Sequence, residues 1–378
     1  MSARVLIHVQ HLLGVGHLSR MAILADALDQ CGMEVTLVSG GAPAPQIRTR
    51  PGVRVKQLPP LRAADATFTT LLDGNDRPID DMWRRDRCRR LLDLYEDTRP
   101  DALIVELFPF GRRQLAFELL PLLEMARQDR RCRLVVSSVR DILNRRPKRE
   151  AEALEWFRRY FSLLLVHADP ELGPITDSVP GLADVRERVR YTGLLTRVEP
   201  ASEATQRGAE ILVAAGGGAV GEHLFEMAAA ARPLSAFADA PWRFRHHTAT
   251  PPDRVAHWQM LAGPGAVFET VAPDFVQHLA TCRLAICQCG YNTACELLAT
   301  GTPAVLVPFA EAGETEQTRR AAGFMSLGYP VLPSEGLTPV ALAAAIDRAA
   351  DQVPPAPARF RLDGAARSAS IIATRLST

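Results

Sequence analysis

The segment "RVLIHVQHLLGVGHLSRMAILADAL", residues 4–28, decides the fold. It opens on a strand-like run over 4–10, rich in Val, Leu and Ile. It turns through Gly14 and Gly16. It leaves in a helical pattern over 19–32, with apolar residues at 21, 23, 24, 27 and 28 and Gly32 as the C-terminal stop. The same order of strand, glycine-rich turn and helix returns in "EILVAAGGGAVGEHLFEMAAAA", residues 210–231. A chain that restarts its opening plan in this way reads as two α/β halves.

The residues between the two copies support that reading. Strands are expected at 34–41, 52–60, 101–110 and within 133–143, and helices at 80–100 and 113–128; the stretch 152–169 runs from helix into strand. After 231 the strand-like runs "APWRFRHH", "AVFETVA", "LAICQCG" and "PAVLVPF" follow, with a helix over "NTACELLATG" and a helix pair over 338–378 broken by "VPPAPARF". Strands that alternate with helical crossovers form parallel, doubly wound sheets. The organisation expected is an N-terminal Rossmann-like domain over 1–195, a linker over 196–208 where Pro, Ser, Glu and Thr displace the apolar runs, and a second Rossmann-like domain over 209–355. A C-terminal helix over 356–378 would pack back toward the first domain. Two such domains would face each other across a cleft, with ligands at the carboxyl ends of the strands.

Composition removes several function classes. The 378 residues carry a net charge of +1, 47% hydrophobic and 23% charged residues, which is ordinary for a soluble globular protein and gives no global field for nucleic acid. No apolar run approaches the ~18 residues of a membrane span, and the N-terminal strand lacks a signal-peptide pattern. A cytoplasmic protein with reduced thiols is expected. Cys282, Cys287, Cys289 and Cys295 lack the C-x2-C pairing of a zinc site and read as small buried thiols, so no metal is expected.

The loops after the strands hold the candidate chemistry. Gly216, Gly217 and Gly218 precede a helix, where backbone N–H groups can meet a diphosphate; a bare turn would look the same. In "CQCGYNTACELLATGTPAVLVPF", residues 287–309, Gly290 and Asn292 end a strand, Thr293 can cap the helix, and Glu296 falls in its first turn. A carboxylate there can accept two hydrogen bonds from a diol such as ribose, or only answer the helix dipole. Glu314, Glu316 and Gln317 follow the strand ending at Pro308, and acids and amides are what sugar hydroxyls need. His17 sits at a helix start, where a neutral imidazole can take a proton. Glu106, Arg112, Arg140 and Asp141 occupy strand ends of the N-terminal half. Arg145, Arg146, Lys148 and Arg149 add a basic run suited to a phosphate, an anionic glycan or an anionic membrane surface, or to plain solvent.

Taken in order, the glycine-rich loop, the pattern G-x-x-T-x-x-E-x-x-x-x-G-x-P and the acid/Gln pair resemble family 28 glycosyltransferases of the GT-B fold, the group that includes the lipid II-forming N-acetylglucosaminyltransferase. "GVGHLSR", "FPFGRRQLAFELLPLLE" and "VRDIL" resemble, more closely, a bacterial family of predicted glycosyltransferases. The resemblance implies a diphosphate loop at Gly216–Gly218, an α-phosphate turn shaped by Gly290 and Thr293, and ribose held by Glu296. It also implies uracil facing the backbone near Val271, and the donor sugar held by Glu316 and Gln317. The pair is Glu–Gln here where the family carries Gln–Gln. Gly14, Gly16, Glu106, Arg112, Arg140 and Asp141 would stand on the acceptor side, with His17 as base.

The activity implied is transfer of a hexosyl or N-acetylhexosaminyl group from a UDP-sugar to an acceptor hydroxyl or amine by inverting, metal-independent displacement. No cofactor is expected beyond the nucleotide sugar as co-substrate. The partners expected are that donor and a glycan, lipid or small-molecule acceptor, with peripheral membrane contact compatible with the basic run and no nucleic acid. Two other readings remain: a UDP-releasing nucleotide-sugar hydrolase, suggested by G-x-G-H-x-x-R, and a nucleotide-sugar-binding protein without turnover.

Overall fold

A computed structural model describes residues 2–377 except 13, 66–68, 146, 202–205, 216–220, 273 and 311–314. The chain divides into two units, Met1–Leu195 with Asp363–Thr378, and Thr196–Leu362.

The first unit contains β1 (Arg4–Val9), α1 (Gly16–Gln30), β2 (Glu34–Ser39), β3 (Arg54–Gln57), a short antiparallel pair β4 (Arg62–Ala63) and β5 (Leu71–Leu72), and α2 (Asp81–Thr98). It continues with β6 (Ala102–Glu106), α3 (Ala116–Gln128), β7 (Leu134–Arg140), α4 (Pro147–Tyr160), β8 (Leu163–His167) and β9 (Val189–Tyr191). The main sheet runs β3-β2-β1-β6-β7-β8-β9, with every pair parallel. Alternation along the strands feeds two cores. Leu6, Leu103 and Val105 pack with Leu119 and Leu122 of α3 on one face. Val5, Ile7 and Ile104 pack with Leu24 and Leu28 of α1 on the other. A sheet covered on both faces needs continuous apolar strands, and β1 and β6 supply them.

The second unit contains β10 (Ile211–Ala214), α5 (Glu222–Ala231), β11 (Trp242–His246), α6 (Pro252–Ala262), β12 (Ala266–Thr270), α7 (Phe275–Thr281) and β13 (Leu284–Cys287). It closes with α8 (Tyr291–Thr300), β14 (Ala304–Leu306), α9 (Glu316–Ser326) and α10 (Pro339–Ala349). Its sheet runs β12-β11-β10-β13-β14, again parallel. Rings fill its core: Phe244 stacks on Phe268 at 4.3 Å and Phe225 on Trp258 at 4.9 Å.

The last helix, α11 (Gly364–Ser377), belongs to the first unit, where Ile372 and Leu376 join the α1 side of the core. It starts at Gly364 because only glycine fits there: a Cβ would run into the backbone of Gly193. Arg207 is tied to the rest of the second unit, donating to Ala280 O and Thr300 O at 3.1 and 3.0 Å. Two local expectations change, and the expectation for the cysteines holds. Helix α1 begins at Gly16, three residues earlier than the apolar pattern placed it, so His17 lies inside its first turn. Helices α6 and α7 fill a region read only as strands and loops. Cys282, Cys287, Cys289 and Cys295 are buried free thiols, and burial pushes Cys282 up to about 12.

Candidate active site

In a doubly wound sheet the crevice lies where strand order reverses. In the first unit that point falls between β1 and β6, which pair in register from Val5 with Ala102 to His8 with Val105. The loop after β1 and the end of β6 are therefore neighbours, although they lie far apart in sequence. His17 Nδ1 meets Glu106 Oε1 at 2.7 Å. Arg20, one turn further along α1, donates to the same oxygen through Nη2. Arg112 donates its Nε to Gln10 O at 3.0 Å beside the pair.

The electrostatics follow from burial. Desolvation lowers the His17 imidazole to about 3, with the Arg112 and Arg140 charges adding to the effect and Glu106 opposing it. Glu106 acts through both its charge and its hydrogen bond, but does not outweigh the desolvation. Burial would raise the Glu106 carboxyl, but His17, Arg20 and Arg112 outweigh it and hold the group well below the usual carboxylate range. The result is a neutral histidine whose Nδ1–H donates to an ionised carboxylate. That tautomer turns the Nε2 lone pair toward a proton. The buried His167 is held between Ser138 Oγ at 2.7 Å and Thr192 Oγ1 at 2.9 Å, and burial lowers it to about 3.

The other acceptor-side candidates divide. Gly14 precedes and Gly16 opens α1. Arg140 ends β7, and the buried Asp141 accepts from the Ile142 N–H at 2.8 Å, which gives it a role in shaping its own loop. Arg146 lies outside the described residues. Arg20 was not singled out in the sequence, although it shares the face of α1 that buries Met21, Leu24 and Leu28, and a cation in an apolar stripe is the signal that could have found it.

In the second unit the switch point lies between β10 and β13. Gly216, Gly217 and Gly218, which follow β10, lie outside the described residues. Gly221, just before α5, is described: a Cβ there would collide with the Cβ of Ala215, so the turn requires glycine. After β13, Gly290 takes the N-cap position of α8. Thr293 is therefore not the cap; it is a buried residue inside the first turn. Asn292 lies in the same turn.

Glu296 also moves. With the helix starting at Tyr291, Glu296 belongs to the second turn, and the first turn of α8 holds no acid. The dipole effect fades beyond the first turn, so helix-dipole pairing does not explain this carboxylate. Burial raises it from the ordinary 4.5 to about 7. It has no hydrogen bond or ion pair among the described residues.

Beyond β14, Glu316 opens α9 and is buried, while Gln317 accepts from the Phe309 N–H through Oε1 at 3.1 Å and keeps its Nε2 donor. Glu314 lies outside the described residues. Arg320, not anticipated, is buried on the α9 face that carries Glu316 and Phe324. It donates to Cys289 O at 2.8 Å and lies 5.9 Å from the Tyr291 ring centroid, tying α9 to the start of α8. Its four-residue spacing from both neighbours was the available signal. Val271 follows β12 with its N–H donated to His246 O at 2.9 Å. Among the described residues no three His, Cys, Asp or Glu side chains gather as a metal site requires.

Comparison with known proteins now bears on these two sites. Residues 255–358 match the family model "Glycosyltransferase family 28 C-terminal domain". That part of the second unit is therefore similar to the C-terminal domain of family 28 glycosyltransferases. The matched stretch contains Gly290, Glu296, Glu316 and Gln317. The chain is 39% identical over 82 residues to the UDP-N-acetylglucosamine–N-acetylmuramyl-(pentapeptide) pyrophosphoryl-undecaprenol N-acetylglucosamine transferase of Rhodospirillum rubrum, a match covering 21% of each chain. The chain thus spans about a fifth of the length of that curated relative. Solved structures cover the whole chain. The calicheamicin glycosyltransferase CalG4 aligns with a TM-score of 0.65 at 18% identity, over 100% of this chain and 99% of its own. MurG of Acinetobacter baumannii aligns at 0.57 and 15%, over 98% and 99%. These likenesses show the fold, which is that of the GT-B glycosyltransferases. No described helix is long and apolar enough to cross a membrane.

Proposed function

We propose that this protein is a glycosyltransferase that moves a sugar from a UDP-sugar to an acceptor hydroxyl or amine by a single inverting displacement. The observation that carries the reading is Glu296. It lies partly buried in the second turn of α8, burial raises it to about 7, and it has no partner among the described residues; a ligand that donates hydrogen bonds would complete it. The 2′- and 3′-hydroxyls of ribose supply two donors. The family 28 match around Glu296 and the UDP-sugar named as donor of the Rhodospirillum rubrum relative support the same choice.

In this reading the diphosphate lies against backbone N–H groups at the starts of α5 and α8, which stabilise the charge that develops as it leaves. Glu316 and the Gln317 amide take sugar hydroxyls. The acceptor oxygen forms a bond to the anomeric carbon as the bond to the diphosphate breaks. The acceptor proton passes to His17 Nε2, and UDP carries away the electron pair. An imidazole near 3 is a weak base, but it suffices when transfer is late, because the attacking oxygen becomes strongly acidic once bonded to an oxocarbenium-like carbon. Glu106 then stabilises the imidazolium. The basic run near Arg149 suits an anionic acceptor, whether free or at a membrane surface.

A thermal-shift series with UDP, NAD and ATP tests the donor half. UDP stabilises most, by ~2.7 kcal/mol at a hundredfold excess over Kd; a preference for NAD would overturn the reading. Release of UDP from a UDP-sugar tests the other half. Dependence on an added acceptor supports transfer, whereas release without one assigns water as the acceptor.

A further inference from the structure

The first unit contains an open, shallow pocket beside the His17 site. Its walls are the loop after β6, the loop between β7 and α4, one face of α4, and the segment ending at Val179. We propose that this pocket binds a flat apolar group bearing an anionic substituent, a carboxylate or a phosphate, and that this group is part of the acceptor; the last clause rests on the transferase reading above.

The apolar part follows from the lining. Pro109, Phe110, Ala153, Trp156 and Val179 are among its lining residues. The rings are already fixed by packing. Trp156 stacks on Phe108 at 5.3 Å with 17° between planes, and Phe110 leans on Phe157 at 5.6 Å. A preset aromatic wall costs a ligand little ordering free energy.

The charge follows from which lining groups are already occupied. Glu152 pairs with Arg113, whose guanidinium also lies 5.6 Å from the Trp156 ring centroid. Glu150 accepts from the Gly181 N–H at 2.8 Å. Both acids of the lining are thus engaged. Arg149 stands exposed at the rim with no ion pair among the described residues. A guanidinium fork matches a carboxylate or phosphate. Arg112 connects the pocket to the chemistry: it lines the wall, donates to Gln10 O, and its charge reaches both His17 and Glu106. The loop that carries it holds two non-glycine residues at positive φ, Leu107 at 67° and Arg112 at 58°. Such conformations persist only where surrounding structure fixes them.

The test is calorimetric titration of the full chain with 1-naphthyl phosphate, 1-naphthoate, 1-naphthol and inorganic phosphate, each with UDP run on the same preparation. At least one anionic naphthyl probe binds tenfold or more tightly than 1-naphthol and than inorganic phosphate; which anion wins names the substituent. Arg149→Glu, a change at an exposed position that the fold tolerates, weakens the anionic probes at least tenfold and leaves 1-naphthol and UDP unchanged. Phe110→Ala weakens all three ring probes several-fold. Equal affinity for 1-naphthol and its anionic analogues, or indifference to Arg149→Glu, overturns the proposal. So does Arg149-dependent binding of phosphatidylglycerol vesicles without binding of the naphthyl anions, which would assign the site to a membrane surface. Naphthyl binding without UDP binding upholds the pocket and removes the donor reading; UDP binding without naphthyl binding does the reverse.

Discussion

Glu106, buried at the end of β6, and Glu296, partly buried in α8 after β13, are two glutamates treated in opposite ways. Glu106 meets His17, Arg20 and Arg112, and is held ionised far below the ordinary range. Glu296 meets no charged or hydrogen-bonding neighbour among the described residues and is raised to about 7. The first site has its charge partners in place, which fixes the orientation and tautomer of His17, although Glu106 Oε2 is buried without a hydrogen bond. The second has no partner among the described residues, and in the proposed reading the nucleotide completes it. Groups that act on a reacting proton gain from preorganisation, whereas groups that hold an exchangeable substrate must be open to receive it.

The largest effect expected from breaking this contrast is on His17. His17→Ala lowers turnover at saturating donor and acceptor by ~10²–10⁴-fold, while UDP affinity changes less than about threefold, under ~0.7 kcal/mol. Because burial holds the imidazole near 3, the wild-type rate stays flat as pH falls from 7 to below 6, with no step at the ordinary histidine value of 6.5. Steady-state kinetics across pH, paired with UDP titration, decide this; a tenfold or greater loss of UDP affinity would move His17 into the donor site.

Glu106→Gln comes next. It leaves the buried Arg20 without its counter-charge, and breaking a buried pair costs ~3–5 kcal/mol of stability. Denaturant melts measure it. A cost below ~1 kcal/mol would mean that the cluster is solvated rather than preorganised.

The contrast was only partly visible in the sequence. The repeated strand–turn–helix plan at 4–28 and 210–231 marked both sheets, because apolar runs buried on both faces are hard to mistake. The short helix α7, seven residues long, offers too few turns for periodicity to register, and the proline pair at 251–252 reads as a breaker although proline suits the first turn of α6. The pairing of His17 with Glu106 depends on β1 lying beside β6, a property of strand order rather than of spacing. Arg20 and Arg320 were overlooked because a cation is ordinarily assigned to solvent; only their places on the buried faces of α1 and α9 reveal otherwise. The cap of α8 was misplaced by three residues, from Gly290 to Thr293. That shift decides whether Glu296 answers a helix dipole or a ligand.

A smaller effect sharpens the Glu296 side. A glutamate raised from 4.5 to about 7 binds its proton more tightly folded than unfolded. Its stabilising contribution is full below pH 4.5 and is lost as pH rises toward 7. Without nucleotide, Glu296→Gln is therefore more stable than wild type at pH 8, by ~1–3 kcal/mol, and equal to it at pH 4. Urea melts at the two pH values check the sign. A variant less stable than wild type at pH 8 would show that the carboxylate has a partner within the fold.

The most direct measurement is a double comparison of UDP with 2′,3′-dideoxy-UDP on wild type and Glu296→Ala at pH 8, by titration calorimetry. If Glu296 holds the ribose diol, wild type prefers UDP by the ~1.5–3 kcal/mol typical of hydrogen bonds to a charged group, and the variant shows no preference. The same preference in both proteins would contradict the account, because the diol would then be recognised elsewhere and the lone carboxylate of α8 would have no nucleotide to receive.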